Sequence, residues 1–372
     1  MVTTRNIGIS IFTGMEFTVE ENISYIEKAA KIGYKRIFTS MQRPGSDPER
    51  VKVEMPIISK RVHELGMEIV TDISPFALRI FKATIEDLTP FKEAGVASLR
   101  LDDGFSNKEV ADFTMNKAGL KVELNGCHYF YRDLEEIISA GADRKQMQAS
   151  FNYYPKFETG ISLDFVKQQA EAYSHFGVPL FAFVHSSALH TRTTVESLRY
   201  MTPGRAAEEL FSIDGIDTVL IGDPFASEED LDAIAEISSR DYIKIRAKSR
   251  KGLTDKEKTL IYDKEMIAKP GTELSLRHTF RFPRGEEHNL VEPRNCVERP
   301  IGSVTIDNIG YKDGNNQLTN ASEVNVWLRK RPADERINVV ADVVEEDLPL
   351  ARAVKPFRKF MIKESDDHDL LN

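Results

Sequence analysis

The stretch "DLTPFKEAGVASLRLDD", residues 87–103, holds one complete joint of the fold. A short helical segment runs to Gly95, and a β-rich run "ASLRLDD" follows from 97 to 103. Glycine closes a helix because it alone enters the left-handed region without a steric cost. Helix, glycine and strand recur at Gly33, Gly66, Gly119 and Gly177. Within the strand, Leu99 and Leu101 share one side while Arg100 and Asp102 share the other. A strand buried on both faces does not bring charges inside without a purpose.

Outward from that joint, eight β-rich runs can be placed at 6–12, 36–41, 68–74, 97–103, 121–126, 147–154, 179–186 and 218–224. Amphipathic segments such as "VEENISYIEKAAKIG", "EMPIISKRVHELG" and "DFVKQQAEAYSHFG" lie between them, with apolar residues at three- and four-residue steps. Eight such units in succession predict an α/β chain built on a (β/α)8 TIM barrel over residues 1–239. A doubly wound sheet fits less well, because no GxGxxG follows the first strand and no P-loop occurs. After "SSRDYIKIRAKS" (238–249) the rhythm changes to strands punctuated by Pro and Gly. Residues 240–365 therefore read as a smaller, mostly antiparallel β-barrel domain without regular helices, and the acidic 366–372 as a frayed tail.

Composition narrows the function. The net charge of −9 works against sequence-independent nucleic-acid binding, which needs a basic surface. Cys127 and Cys296 form no CxxC or zinc spacing and read as two reduced thiols. The apolar run near the start is too short and interrupted for a signal-peptide core or a membrane span, so a cytoplasmic location with no membrane association is expected.

A (β/α)8 barrel carries its active site at the C-terminal strand ends. Those ends are rich in polar residues: Ser40, Asp72, Ser74, Arg100, Asp102, Asp103, Glu123, Asn125, Asn152, Tyr153, Tyr154, His185, Ser186 and Asp223. Alternation aims Asp72, Arg100, Asp102, Glu123, Asn125, Asn152 and Tyr154 into the mouth. Arg100 is placed to pair with Glu123 or to control the ionisation of Asp102. Paired carboxylates suit glycoside hydrolysis, one protonating the leaving oxygen while the other attacks or activates water. Asp72, Asp102, Glu123 and Asp223 are the catalytic candidates. Arg100, Asn125, Asn152, Tyr154, His185 and Ser186 are candidate substrate-binding residues, joined from the second domain by Arg277, Arg281 and Arg294 as clamps for an anionic substrate. No HExxH or comparable metal motif accompanies His185 and His190, and no metal or cofactor is expected.

Two other readings compete. A metal-dependent epimerase or an aldolase acting on a sugar phosphate would need convergent metal ligands or an inward lysine, and no strand offers such a lysine in its upper half. A non-catalytic carbohydrate-binding protein would tolerate loss of Asp72 and Asp102.

The runs "IGISIFTGMEFTVEENISYIEKAAKIGYKRIFTSMQRPG", "DISPFALRIF", "LRLDDGF", "ELNGCHYFYR", "NYYPKFETG", "HSSALHTRTTVE", "VLIGDP" and "VEPRNCVERPIGSVTIDN" together resemble the MupG-type 6-phospho-N-acetylmuramidases, a family formerly labelled "outer surface protein". The resemblance covers nearly the whole chain. It implies a TIM barrel followed by a cyclophilin-like β domain. It also implies a cytoplasmic glycosidase of cell-wall (peptidoglycan) recycling, which releases N-acetylmuramic acid 6-phosphate from the non-reducing end of 6-phospho-MurNAc-β-1,4-GlcNAc. The partner is then a small phosphorylated amino-sugar disaccharide, and a homodimer stays open.

Overall fold

The computed structural model describes residues 5–41, 43, 45–279, 290–312 and 322–365. The chain divides into two compact units, 1–239 and 240–372. In the first, eight parallel strands close into a barrel in chain order: β1 (Asn6–Ser10), β2 (Arg36–Ser40), β3 (Glu68–Ile73), β4 (Ser98–Leu101), β5 (Lys121–Asn125), β6 (Met147–Ser150), β7 (Leu180–Val184) and β8 (Ile216–Ile221), with β8 pairing back onto β1. The α/β class and the TIM barrel expected from the repeat are what the chain forms.

Local chemistry explains the helices between strands. Val19–Ile32 begins with a capping box in which the Thr18 hydroxyl accepts from the Glu21 N–H and Glu21 answers to the Thr18 N–H. It buries Tyr25, Ile26 and Ala29 against the barrel. Leu163–Phe176 ends on Gly177, whose φ of 70° is the left-handed conformation that the C-cap needs. The helix expected over 54–66 starts earlier, at Pro48, because Asp47 caps it and proline suits the first helical turn. The segment around Pro90 makes only a short helix, Thr89–Glu93, with no side-chain cap.

Two clusters of apolar residues fill the barrel unit. The larger lies between strands and helices. The smaller consists of Phe12, Phe38, Val70, Phe181, Phe183 and Leu220, with Met15 and Tyr153 packed against it. It fills the barrel interior, so the polar residues at the mouth stand over an aromatic floor.

The second unit is a seven-stranded mixed sheet formed by β9 (Ile243–Ser249), β10 (Met266–Ile267), β11 (Ser275–His278), β12 (Ser303–Asp307), β13 (Val324–Trp327), β14 (Ile337–Val343) and β15 (Lys359–Glu364). The strand order is β10-β15-β9-β14-β12-β13-β11, a nearly closed sheet. Two features differ from expectation. β15 pairs with β9 in parallel, and helices occur at Asp255–Tyr262 and Leu348–Ala353. The first of these helices carries a Thr254/Glu257 capping box, a local signal that the surrounding strand pattern masks. The 366–372 tail lies outside the described residues. Among the described residues, no helix is long and apolar enough to cross a membrane.

Candidate active site

Arg100 organises the mouth of the barrel. Its side chain is 3% exposed, yet every guanidinium nitrogen has a partner. Nε donates to Ser150 Oγ at 2.7 Å, and Nη2 donates to Asn152 Oδ1 at 2.7 Å and to Ser150 O at 3.4 Å. Nη1 donates to Asp72 Oδ1 at 2.7 Å and to Asp102 Oδ1 at 3.2 Å. Burial opposes the guanidinium charge, but Asp72, Asp102 and Glu123 more than offset it and hold the group protonated. A buried cation survives only when paired and fully hydrogen-bonded, which is the state found here.

The two aspartates differ in environment. Asp72, with a side chain 15% exposed, is pushed up to about 6 by burial, against the pull of Arg100; the nearby charges of Asp102 and Glu123 add to the rise. Asp102 is 41% exposed. Its Oδ1 also accepts from Asn125 Nδ2 at 3.1 Å, and Oδ2 has no hydrogen-bond partner among the described residues. Asn125 is held in turn: its Nδ2 reaches Asn152 Oδ1 at 3.1 Å and its Oδ1 accepts the Cys127 N–H at 2.9 Å. One carboxyl is therefore set to give a proton near neutral pH, while the other presents an open oxygen.

A second group gathers over the aromatic floor. The guanidiniums of Arg43 and Arg192 lie 4.1 and 5.1 Å from the centroid of Phe12. Burial, then the like charge of Arg192, lowers the pKa of Arg43. Arg192 Nη1 donates to Asp223 at 3.2 Å, whereas Arg43 makes no ion pair among the described residues. Tyr153 packs edge-on against Phe38 and Phe183, and Arg192 lies 5.8 Å from its ring centroid. Burial, then the charge of Asp72, raises the Tyr153 phenol, while Arg192, Arg43 and Arg100 oppose the rise. Two guanidiniums beside one aromatic ring, only one of them paired with a carboxylate, favour an anion.

Models of two consecutive families, 6-phospho-N-acetylmuramidase N-terminal and C-terminal, match residues 7–236 and 243–363. The chain belongs to the 6-phospho-N-acetylmuramidase family. The family's name places this 6-phospho-N-acetylmuramidase relative among enzymes acting on a sugar phosphate. A crystal structure of an uncharacterized B. cereus protein is similar at 27% identity and a TM-score of 0.80, covering 96% of this chain and 99% of that one. A conserved Enterococcus faecalis protein with an unknown function is similar at 25% identity and a TM-score of 0.65, with 98% of each chain covered. No curated protein sequence matches.

Several residues expected at the barrel mouth are engaged elsewhere. Glu123 is adjacent to Arg100 in register, but its carboxylate turns away from it. It pairs with Arg36 and accepts from Gln148 Nε2 at 2.9 Å, in a deeper layer that Glu68 completes. Arg36, Glu68 and Gln148 line a cavity with Asn6 and Lys35, near the starts of β1 and β2, so Glu123 belongs to the stabilising end of the barrel. Asp223 is fully buried. It accepts from the N–H groups of Ser186, Thr191 and Arg192 at 3.0, 3.2 and 3.1 Å, and from the Thr191 hydroxyl. It fixes the loop that carries Arg192 and has no room for proton transfer to a substrate.

His185, completely buried, contacts the Ser186 carbonyl through Nδ1 at 3.0 Å and the Leu198 carbonyl through Nε2 at 3.3 Å. With both ring nitrogens facing backbone it offers none to a ligand; burial lowers its pKa. Ser186 is likewise buried, its hydroxyl 3.5 Å from Asp223. Tyr154 donates to Cys127 Sγ at 3.4 Å, and the floor is built by Tyr153 instead. Regular alternation ends with β6 at Ser150, four residues before the expected limit, and Tyr154 instead bridges to Thr193. Among the described residues no group of three or more His, Cys, Asp or Glu side chains could hold a metal ion.

In the second unit, Arg294 binds Glu257 at 3.2 Å and the Gly252 carbonyl. Arg277 donates to Pro270 O at 3.2 Å and lies 3.8 Å from Glu323. Arg281 lies outside the described residues. The residues that sequence reasoning missed are Arg43 and Arg192. Both stand in loops just past strand ends, in "SMQRPG" and "HTRTT", where strand alternation no longer predicts direction.

Gly222 provides a local test. A Cβ there would collide with the carbonyl oxygen and side chain of Arg192. Gly222→Ala is expected to cost about 1–3 kcal/mol in urea denaturation and to raise KM, because the loop bearing Arg192 must move.

Proposed function

We propose that the barrel hydrolyses 6-phospho-MurNAc-β-1,4-GlcNAc, releasing N-acetylmuramic acid 6-phosphate from the non-reducing end with retention of configuration. The observation that carries this is the sharing of one Arg100 nitrogen by Asp72 and Asp102. Two oxygens bonded to the same nitrogen stand no more than about 6 Å apart, short of the roughly 6.5–9.5 Å that an inverting pair leaves for water and compatible with the closer pair of retaining glycosidases.

Asp72 is then the acid that protonates the glycosidic oxygen, a role its raised pKa suits. Asp102 Oδ2 attacks the anomeric carbon, and the C–O bond to the leaving sugar breaks as the new ester bond forms. Water, deprotonated by the same Asp72, hydrolyses the glycosyl-enzyme and restores both carboxyls. Arg100 and Asn125 orient Asp102. Arg43 and Arg192 hold the phosphate. The finer assignments go with this reading: a cytoplasmic enzyme of peptidoglycan recycling, a cyclophilin-like second domain at 240–365, and no cofactor.

The test is the anomeric form of the first product, followed by proton NMR during hydrolysis. Appearance of the β anomer before mutarotation supports the assignment, and the α anomer first would sink it. Arg43→Ala is expected to raise KM for a 6-phosphorylated muramide by about a hundredfold and to leave slow hydrolysis of the unphosphorylated analogue unchanged. Equal losses on both substrates would remove Arg43 from phosphate recognition.

A further inference from the structure

The second unit buries polar residues on a sheet face that its own core does not use. On β13, Val324 and Val326 enter the apolar core, while Asn325 and Trp327 take the opposite face, with Glu323 one pleat before them. On β11, Leu276 enters the core and Ser275 and Arg277 face the other way, paired in register with Trp327 and Asn325. These residues, with Asp307 at the end of β12, line a cavity of about 340 Å³.

The wall is buried but only partly satisfied. Ser275 Oγ donates to Asn325 Oδ1 at 2.9 Å. Glu323 accepts from Thr279 Oγ1 at 2.6 Å and lies 3.8 Å from Arg277 Nε. Asp307 is different. The residue is 4% exposed, and its carboxyl has no hydrogen-bond or ion-pair partner among the described residues. A nearly buried carboxyl with no protein partner, facing a cavity, is placed to be completed by a ligand that brings its own donors and acceptors. Burial, then Glu323, pushes its pKa up to about 8, so at neutral pH it can donate as well as accept.

We propose that this cavity binds a single neutral sugar ring, whose hydroxyls pair with Asp307, Glu323 and Asn325 beside the indole of Trp327. With Asp307 protonated at neutral pH and Glu323 facing Arg277, the wall offers no unpaired cation to phosphate or another anion and suits an uncharged ligand. A mixed wall of carboxyl, amide, guanidinium and indole matches a molecule with many hydroxyls and one apolar face. The volume suits one ring rather than a chain. The choice of an N-acetylated amino sugar as ligand rests on the glycosidase reading.

Trp327 is the only tryptophan of the chain and lines this cavity, with Arg299 4.4 Å from its ring centroid and Thr305 accepting from its Nε1, so its emission responds to a ligand bound there. Titration of the full chain with N-acetylglucosamine is expected to give a saturable change in tryptophan emission. Inorganic phosphate is expected to give none. Asp307→Asn and Glu323→Gln should each weaken binding by about tenfold or more. Asp307→Asn should also keep or raise Tm above pH 8, which separates a lost ligand from a lost fold. No emission change at tens of millimolar sugar, or wild-type affinity in both variants, would overturn the site. Because the free sugar is the probe, the outcome is independent of hydrolysis at the barrel mouth.

Discussion

Asp72→Asn lowers kcat on a 6-phosphorylated β-N-acetylmuramide by about a thousandfold or more, and Asp102→Asn does at least as much. The substitutions differ in what they leave. With Asp72→Asn, a substrate bearing an activated leaving group recovers much of the rate of the first step, because that oxygen no longer needs a proton. With Asp102→Asn no leaving group helps, since the attacking oxygen is gone. Asp72 also sets the pH profile. As the acid it must be protonated, so kcat/KM falls as pH rises past about 6 in the free enzyme. Stability follows the same titration. A carboxyl whose folded pKa stands above its unfolded value stabilises the fold at low pH, and that contribution is lost as pH rises from about 4 to about 6. Asp72→Asn, which fixes the uncharged form, should therefore keep or raise Tm at pH 7 while abolishing turnover. Full activity in both variants would remove this pair from the chemistry.

Arg100→Leu is the most damaging change expected for the barrel fold. It leaves Asp72 and Asp102 facing each other without a cation and strips the partners from Ser150 and Asn152. Breaking a buried ion pair by removing one member costs about 3–5 kcal/mol, read as a shift in the urea midpoint. Arg100→Lys keeps the charge but not the planar fork that reaches four residues, and should recover less than half of the loss. Without the guanidinium Asp72 rises further, so the Arg100→Leu deficit is expected to widen as pH increases from 5 to 8. A deficit independent of pH would mean that Arg100 acts through packing alone.

The barrel was legible in the repeat of helix, glycine and strand, because each joint is a local event. Thr18, Asp47 and Gly177 start or stop a helix through bonds to backbone only a few residues away. Arg100 and Asp102 were legible as inward charges for the same reason: a pleat of period two needs no knowledge of distant chain. The fate of each charge was not. Glu123 shares a register row with Arg100, yet the choice between Arg100 and Arg36 depends on which strand leans closer inside a closed, tilted barrel. Asp223 and His185 have the residue types of a catalytic site, and only the folded 186–192 loop and the Leu198 carbonyl show their hydrogen bonds already used. Arg43 and Arg192 meet over Phe12 from loops that lie far apart in sequence. Sequence alone therefore determined the barrel and, within its regular strands, which positions face the axis, since those follow from local backbone chemistry. Tertiary structure decided which of the inward groups are spent on one another and which stay open for a substrate, because pairing is a property of distances between strands and loops.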